Sequence, residues 1–402
     1  VVLAKAISAK NHKIIEKAFK IWQLNIKFIN FENRKPDRAT GGFRLRVMRN
    51  ILFAPLAVLY GLAVRVRHML YDVRLIRPQE YDIPVVCVGN ITVGGTGKTP
   101  VCEFLVEHLS PDYTLAVLSR GYRRRTKGYI EVQPGSSFRD VGDEPKQIKL
   151  KFREVVVAVC ADRREGIERI RAEHPDVDMI ILDDGFQHRR VKARTNIVLM
   201  DYNRPIYHDH LLPWGELRDV PSQMHRADIV LVTKCPEDIT PLEMRIVRKS
   251  LALFPYQSIF FTWLGNEPPV ALFDDVTPRQ LPEGNPVVAM AGVANPAPLL
   301  SYLGKHYDVV QKLIFDDHHT YVVRDLSRMR EAIAGEAPQV AIVTTEKDAV
   351  KLTNRRRIPD QIASKLYYTP VGIKFAAGQD KIFVQKIKQY VRTNQKHSIV
   401  HF

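Results

Sequence analysis

The chain has 402 residues, 45% hydrophobic and 26% charged, the balance of a folded soluble protein and not of a disordered or fibrous one. Its length suits two domains better than one, and its four scattered cysteines (Cys87, Cys102, Cys160, Cys235) argue against a disulfide scaffold or structural zinc and suit a reducing compartment. The net charge of +16 is uneven: sixteen Lys and Arg against five acids put +11 of it in residues 1–80, a block that points to nucleic acid or an anionic membrane surface.

In chain order, residues 1–45 read as a basic N-terminal extension, helical around 10–28 and ending in the turn formers "NRKPDRATGG". No compact apolar stretch with a small-residue cleavage site is visible there, so nothing reads as a secretory signal. Next comes "ILFAPLAVLYGLAV" (51–64), fourteen residues without a charge, flanked by Arg44, Arg46, Arg49, Arg65 and Arg67. Fourteen is short of the ~20 apolar residues of a spanning helix. Flanking arginines suit a helix lying in the bilayer interface instead. The competing interpretation is a buried first helix with a solvated basic face. Nucleic acid gains no support, because aromatic and basic residues do not interleave.

From Tyr81 short apolar runs alternate with helical stretches. "IPVVCVG" (83–89), "TLAVLS" (114–119), "EVVVAVC" (154–160), "DMIILDD" (178–184), "NIVLMD" (196–201) and "DIVLVTK" (228–234) predict strands, with amphipathic segments such as "ADRREGIERIRAEH" (161–174) between several. This alternation predicts an α/β fold, a parallel sheet with helices on both faces. After residue 262, "PVVAMAGV" (286–293), "DVVQKLIF" (308–315), "QVAIVTTEKD" (339–348) and "KLYYTPVGIKF" (365–375) predict a smaller C-terminal α/β lobe. The expected organisation is an extension (1–45), a P-loop core with a membrane-associating helix (46–262) and the smaller lobe (263–402).

"VGNITVGGTGKTP" (88–100) carries the strongest chemistry. Gly94, Gly95 and Gly97 precede Lys98 and Thr99, after a strand and before a helix, as in an NTPase phosphate loop. Glycines let backbone N–H groups close around phosphate oxygens, and the helix N-terminus adds favourable charge. The usual pattern has its first glycine where this chain has Thr92, but Val93-Gly94-Gly95-Thr96-Gly97 keeps the tight part. "MIILDDGFQHRR" (179–190) supplies Asp183 and Asp184 at a strand end, as a metal-binding Walker-B strand would, with Gln187 nearby. "GDEP" places Asp143 in a glycine-containing loop, and "FDDHHTY" (315–321) reads equally as a metal site, a catalytic dyad or a solvated loop. Arg163 and Arg218 lie near predicted strand ends, where ligands of open α/β sheets gather. "VTK" (232–234) resembles the strand-end lysine that packs a base in some P-loop proteins, and "TTEKDAVK" (344–351) suits either that role or a capped helix start.

Together, "VGNITVGGTGKTP", "LSRGYRRR", "VGDEP", "DRREG", "LDDGFQHRR", "LLPWGELRD", "VTK", "AGVANP", "FDDHHTY" and "TTEKDAVK" resemble, in the same order, the motifs of the tetraacyldisaccharide 4′-kinases, lipid A 4′-kinases of Gram-negative bacteria. The resemblance covers roughly residues 50–390, Thr92 included, and nothing carries over to residues 1–45. It implies transfer of the γ-phosphate of ATP, with Mg²⁺, to the 4′-hydroxyl of a tetraacylated disaccharide 1-phosphate, giving lipid IV-A. It also implies a peripheral enzyme on the cytoplasmic face of the inner membrane. Residue by residue, Thr92, Val93, Gly94, Gly95, Thr96, Gly97, Lys98 and Thr99 match the ATP loop. Thr99, Asp183 and Asp184 match metal positions, Asp143 the base, and His318, preferred over His319, its partner. Gln187, Arg163 and Arg218 match binding positions. The sequence calls for no nucleic acid and no obligate protein partner. A membrane-associated GTPase or ATPase switch protein is the alternative; the missing N-K-x-D motif for guanine counts against its GTPase form.

Overall fold

The structure is a computed structural model that describes residues 41–398 except Arg123 and His318, with the backbone alone for 41–52 and 393–398. The helical stretch expected over 10–28 lies outside the described residues. Helices that position the sites are α1 (Gly41–Asp72), α2 (Lys98–Leu109), α3 (Asp143–Lys151), α4 (Arg163–Glu173) and α5 (Asp380–Ser398). The first strands are β1 (Val85–Asn90), β2 (Leu115–Ser119), β3 (Ile130–Glu131), β4 (Val156–Val159), β5 (Met179–Asp183), β6 (Thr195–Asp201) and β7 (Ile229–Thr233). They are followed by β8 (Ser258–Asn266), β9 (Val270–Ala271), β10 (Pro286–Ala291), β11 (Asp308–Ile314), β12 (Ala341–Thr345), β13 (Leu366–Thr369) and β14 (Val371–Phe375).

Every apolar run expected to be a strand forms one, but "KLYYTPVGIKF" forms two. Pro370 has no N–H for a ladder, so β13 ends before it and β14 starts after it. Strand β8 was not anticipated, although Ile259, Phe260, Phe261, Thr262 and Trp263 are the β-branched and aromatic types that strands favour.

The chain builds two compact units. The first holds residues 41–98, 174–263 and 375–398 of the described chain, and the second holds 99–173 and 264–374. From sequence the lobes were continuous segments; the units instead interleave. Apolar periodicity reports that a strand is buried, not which sheet it joins, so the interleaving left no local trace.

In the first unit the strands run in the order β8-β7-β6-β1-β5, all parallel. Strand β1 is buried along its whole length, as a sheet covered on both faces requires. Register sets Val88 beside Asp183 and Asp201 beside Thr233, so the carboxyl ends of β1, β5, β6 and β7 converge on one edge. Helix α5 covers part of this sheet with Phe383, Ile387 and Val391; Phe383 packs edge-on against Phe260 at 5.2 Å between centroids.

Helix α1 belongs to the same unit and extends well beyond the fourteen residues singled out in the sequence. It presents two unlike faces. Tyr60 and Val64 pack inward with Val93, Leu212 and Val220. Gly61 permits this approach: a Cβ there would come within 2.7 Å of Leu211. Leu59, Leu62, Val66 and Met69 recur at helical spacing on the other side and are exposed, Leu59 by 63%. The stretch Phe53–Asp72 is long and apolar enough to cross a membrane by length and composition, with 28% of it buried against the protein.

In the second unit β2 pairs with β4 in parallel and β4 with β3 antiparallel. A five-stranded sheet, ordered β11-β10-β12-β13-β9, is parallel except at β9. Its core includes Val287, Met290, Leu303, Met329 and Ile342.

Candidate active site

The phosphate loop hangs between β1 and α2. Gly94 and Gly97 take φ of +93° and +86°, the left-handed region where a side chain is strained. Thr92 does not. It is nearly buried and forms an antiparallel bridge with Leu217, while Val93 donates its N–H to Glu216 O at 2.8 Å. Position 92 therefore needs no glycine. Asn90 fixes the loop from beneath: Nδ2 donates to Thr96 Oγ1 at 2.8 Å and reaches Thr92 Oγ1 at 3.4 Å. From β7, Thr233 Oγ1 donates to Thr96 O at 2.8 Å. Lys234 Nζ bridges Gly95 O at 2.5 Å and Asp201 Oδ2 at 2.8 Å. Burial pushes the Asp201 carboxyl up, but Lys234, the Asn203 N–H and Arg204 outweigh it and hold it below the usual range. Lys234 is thus tied to the loop at the end of β7.

Asp184 stands at the mouth of this loop, one residue past β5, with φ +51°. Arg218 grips both of its carboxylate oxygens, with Nη1 donating to Oδ2 at 3.0 Å and Nη2 to Oδ1. Lys98 Nζ lies 3.6 Å from Asp184 Oδ1. Arg218 also donates to the carbonyl and the side-chain oxygen of Asn90, and Gln187 Nε2 donates to Asn90 O at 2.6 Å. Lys98, Asp184, Gln187 and Arg218, picked separately from sequence, so form one network. Asp183, 1% exposed, ends β5, and Thr99 is the second residue of α2, nearly buried. Hydroxyl and carboxylate oxygens are the hard donors Mg²⁺ takes, so Thr99, Asp183 and Asp184 fit that ion by donor type.

The second unit carries the remaining motifs. Asp143 opens α3 behind Gly142, whose φ is +96°; a Cβ there would also press on Gly121 and the Tyr122 carbonyl at 3.4 Å. A cleft of about 290 Å³ is lined by Asp143, Glu144, Arg125, Arg139, Thr320 and Lys347 among others. From sequence Asp143 and the 315–321 loop fell in different lobes; here Asp143 and Thr320 line one cleft of one unit. His318 lies outside the described residues. His319 Nε2 is bonded to Asp325 Oδ2 at 2.8 Å, with its ring stacked on Phe315 at 4.6 Å. These contacts hold it as part of the loop's framework.

Three motifs meet at the strand ends of the five-stranded sheet. Gly292 donates its N–H to Asp348 Oδ2 at 2.7 Å, and a Cβ on Gly292 would lie within 3.2 Å of Asp348, Tyr321 and His319. Thr345 Oγ1 accepts from the Asp348 N–H at 3.1 Å, the capped helix start that "TTEKD" allowed. Lys351 Nζ closes on Asp348 Oδ1 at 2.9 Å. Nearby, Lys151 at the end of α3 bridges Glu103 at 2.7 Å and Glu346 at 3.5 Å. Burial first, then the neighbouring Glu103 carboxylate, pushes the Glu346 carboxyl up.

A family model for tetraacyldisaccharide-1-P 4′-kinase matches residues 49–392. The chain belongs to this family of kinases. A tetraacyldisaccharide 4′-kinase of Phocaeicola vulgatus is 40% identical over 351 residues, 86% of this chain and 96% of the relative. One from Porphyromonas gingivalis is 42% identical over 340 residues, 83% and 95% respectively. Among solved structures, a crystal structure of LpxK from Aquifex aeolicus in complex with ATP is similar with a TM-score of 0.67 at 26% identity, covering 86% of this chain and 99% of that one.

Within this kinase, Arg163 belongs to the second unit, whereas Gln187 and Arg218 belong to the first. It opens α4 in the second unit, is 2% exposed, and donates from Nη1 to Cys160 O at 2.6 Å, so it holds the turn between β4 and α4. Sequence reasoning did not single out Asn90, Thr233 or Asp201. The one available signal was position: each is polar and ends an apolar strand, next to the loop or opposite it.

Proposed function

We propose that this kinase transfers the γ-phosphate of ATP to the 4′-hydroxyl of a tetraacylated disaccharide 1-phosphate, giving lipid IV-A, with the phosphate loop, Lys98, Asp184 and Arg218 at the phosphoryl-transfer site. The observation that supports it most is the convergence of Lys98 and Arg218 on Asp184 at the mouth of a loop whose left-handed residues are Gly94 and Gly97. Phosphoryl transfer asks mainly for positioning and charge neutralisation. The backbone of residues 93–97 orients the phosphates, and Lys98 neutralises charge on the group in transfer. Thr99, Asp183 and Asp184 would hold Mg²⁺, which supplies further neutralisation of the phosphate oxygens. Asp143 accepts the proton of the 4′-hydroxyl as the new O–P bond forms and the bond to ADP breaks, and His318 orients it.

The exposed apolar face of α1 supports a peripheral site on the cytoplasmic face of the inner membrane, where an acylated acceptor is embedded. Leu59, Leu62 and Met69 enter the interface while exposed Arg65 meets lipid phosphates.

The deciding assay supplies γ-labelled ATP and the disaccharide 1-phosphate in detergent. Labelled lipid from the wild type, and its loss in a folded Lys98→Ala protein by about 10²-fold or more, is expected. Labelled free phosphate without labelled lipid would favour the switch-protein alternative.

A further inference from the structure

The inward face of α1 does more than pack. Tyr60 Oη donates to Arg218 O at 2.7 Å, and Arg67 Nη2 donates to Gln187 O at 2.5 Å. Arg218 and Gln187 both donate to Asn90 under the phosphate loop, and Arg218 also grips Asp184. Tyr60 and Val64 share a buried apolar cluster with Val93 of the loop. Burial pushes the Tyr60 hydroxyl up, so it stays protonated and donates.

His68, 3% exposed, adds a fourth tie. Its Nδ1 lies 2.9 Å from Arg189 Nη1, which can only donate, so the ring proton sits on Nε2 and is donated to Asp219 Oδ1 at 2.7 Å. Asp219 adjoins Arg218 in the chain. Arg189 is anchored to α1 twice more, by Asp72 at 2.8 Å and over the Tyr71 ring at 4.7 Å. One helix therefore holds the main chain at 187 and 218 and the side chain at 219.

We propose that α1 is the positioning element of the phosphoryl-transfer site, with Tyr60 and His68 as positioning residues that set Arg218 against Asp184. It rests on the function proposed above. The exposed apolar stripe and the polar face that orients Arg218 are two sides of one helix.

The test separates kcat from KM. Tyr60→Phe removes a single hydroxyl and keeps the ring; His68→Leu removes the bond to Asp219; His68→Gln restores a donor there. Each is assayed with saturating ATP and acceptor in anionic vesicles, well below its melting temperature, beside vesicle co-sedimentation. Tyr60→Phe is expected to lower kcat about threefold to tenfold, the size of one lost neutral hydrogen bond, and His68→Leu by about tenfold or more, because its lost partner is a carboxylate. The KM for acceptor and vesicle binding should hold, and His68→Gln should recover part of the loss. Unchanged kcat with weakened vesicle binding would make α1 an anchor only, and unchanged kcat with a lowered melting temperature would make these ties structural only. Should His68→Leu fail to fold, Tyr60→Phe decides. A wild type that yields no labelled lipid sinks the kinase proposal itself, whereas an active wild type matched by both variants sinks only this inference.

Discussion

Asp184 and Thr92 show how single residues depart from sequence habit for physical reasons. A non-glycine residue at φ +51° is uncommon, and Asp is among the few types that tolerate it. The turn aims its carboxylate at Lys98 and Arg218 instead of continuing β5. Thr92 makes the opposite case, since its bridge to Leu217 keeps it out of the left-handed region. Restoring the usual pattern with Thr92→Gly should therefore bring no gain in turnover. It should cost about 0.5–1 kcal/mol in urea unfolding, through the greater freedom of glycine in the unfolded chain. A marked rise in kcat would show that the loop does want a glycine there. At this scale the sequence was informative where charged residue types were picked separately and meet in the fold, as Lys98, Asp184 and Arg218 do. It was silent on Arg67, which looks like one more juxtamembrane cation. Its guanidinium turns inward to the Gln187 carbonyl, a partner 120 residues away that no local pattern announces.

Helix α1 is where element-scale expectations divide most clearly. Composition pointed to an interfacial helix or a buried one, and the helix has one buried face and one exposed apolar face. Its two faces answer to different substitutions. Leu59→Glu with Leu62→Glu, or Arg65→Glu, should weaken co-sedimentation with anionic vesicles; one basic residue near such a surface is worth about 1 kcal/mol, and reversal adds repulsion. Arg67→Glu should instead lower kcat in detergent, where vesicle binding plays no part. Equal losses of vesicle binding at positions 65 and 67, with kcat intact in detergent, would contradict the inward contact. The same helix carries an acid-sensitive joint. Burial first, then Arg67 and Arg189, lower the His68 pKa below its ordinary 6.5, with Asp219 opposing. The unfolded chain then binds the proton more readily than the folded one. The stability contributed is complete above about pH 6.5 and is lost as pH falls from there through the depressed value. Urea midpoints at pH 8, 6.5 and 5 should fall more steeply on the acid side in the wild type than in His68→Gln, which cannot protonate. Parallel curves would mean His68 does not titrate in that range.

At the scale of the molecule, the α/β class and the strand runs were legible because a buried parallel strand must be apolar, and the glycines of the phosphate loop mark where β1 gives way to α2. The interleaved units were not, because the ties that assign 99–173 and 375–398 are long-range. Binding energetics also belong to this scale. A nucleotide that binds only the folded chain stabilises it by mass action, about 2.7 kcal/mol at a hundredfold excess over Kd. ATP with Mg²⁺ should therefore raise the melting temperature of the wild type, EDTA should shrink the rise, and Lys98→Ala should lose most of it. An equal rise in Lys98→Ala would move the nucleotide away from the phosphate loop.

The placement of α5 has a consequence for how the protein comes off the ribosome. Phe383, Ile387 and Val391 complete the sheet that carries the phosphate loop, yet they are made long after β1. At about 5–20 residues per second, roughly 14–55 s separate the emergence of Lys98 from that of Phe375. Phe260 and its neighbours, once made, lack their final cover until α5 emerges, whereas the body of residues 99–173 and 264–374 is complete as soon as Lys374 is out. The nascent enzyme is then half complete in reverse: the unit whose sequence starts later has all its residues first, and the sheet that carries the phosphate loop waits for α5.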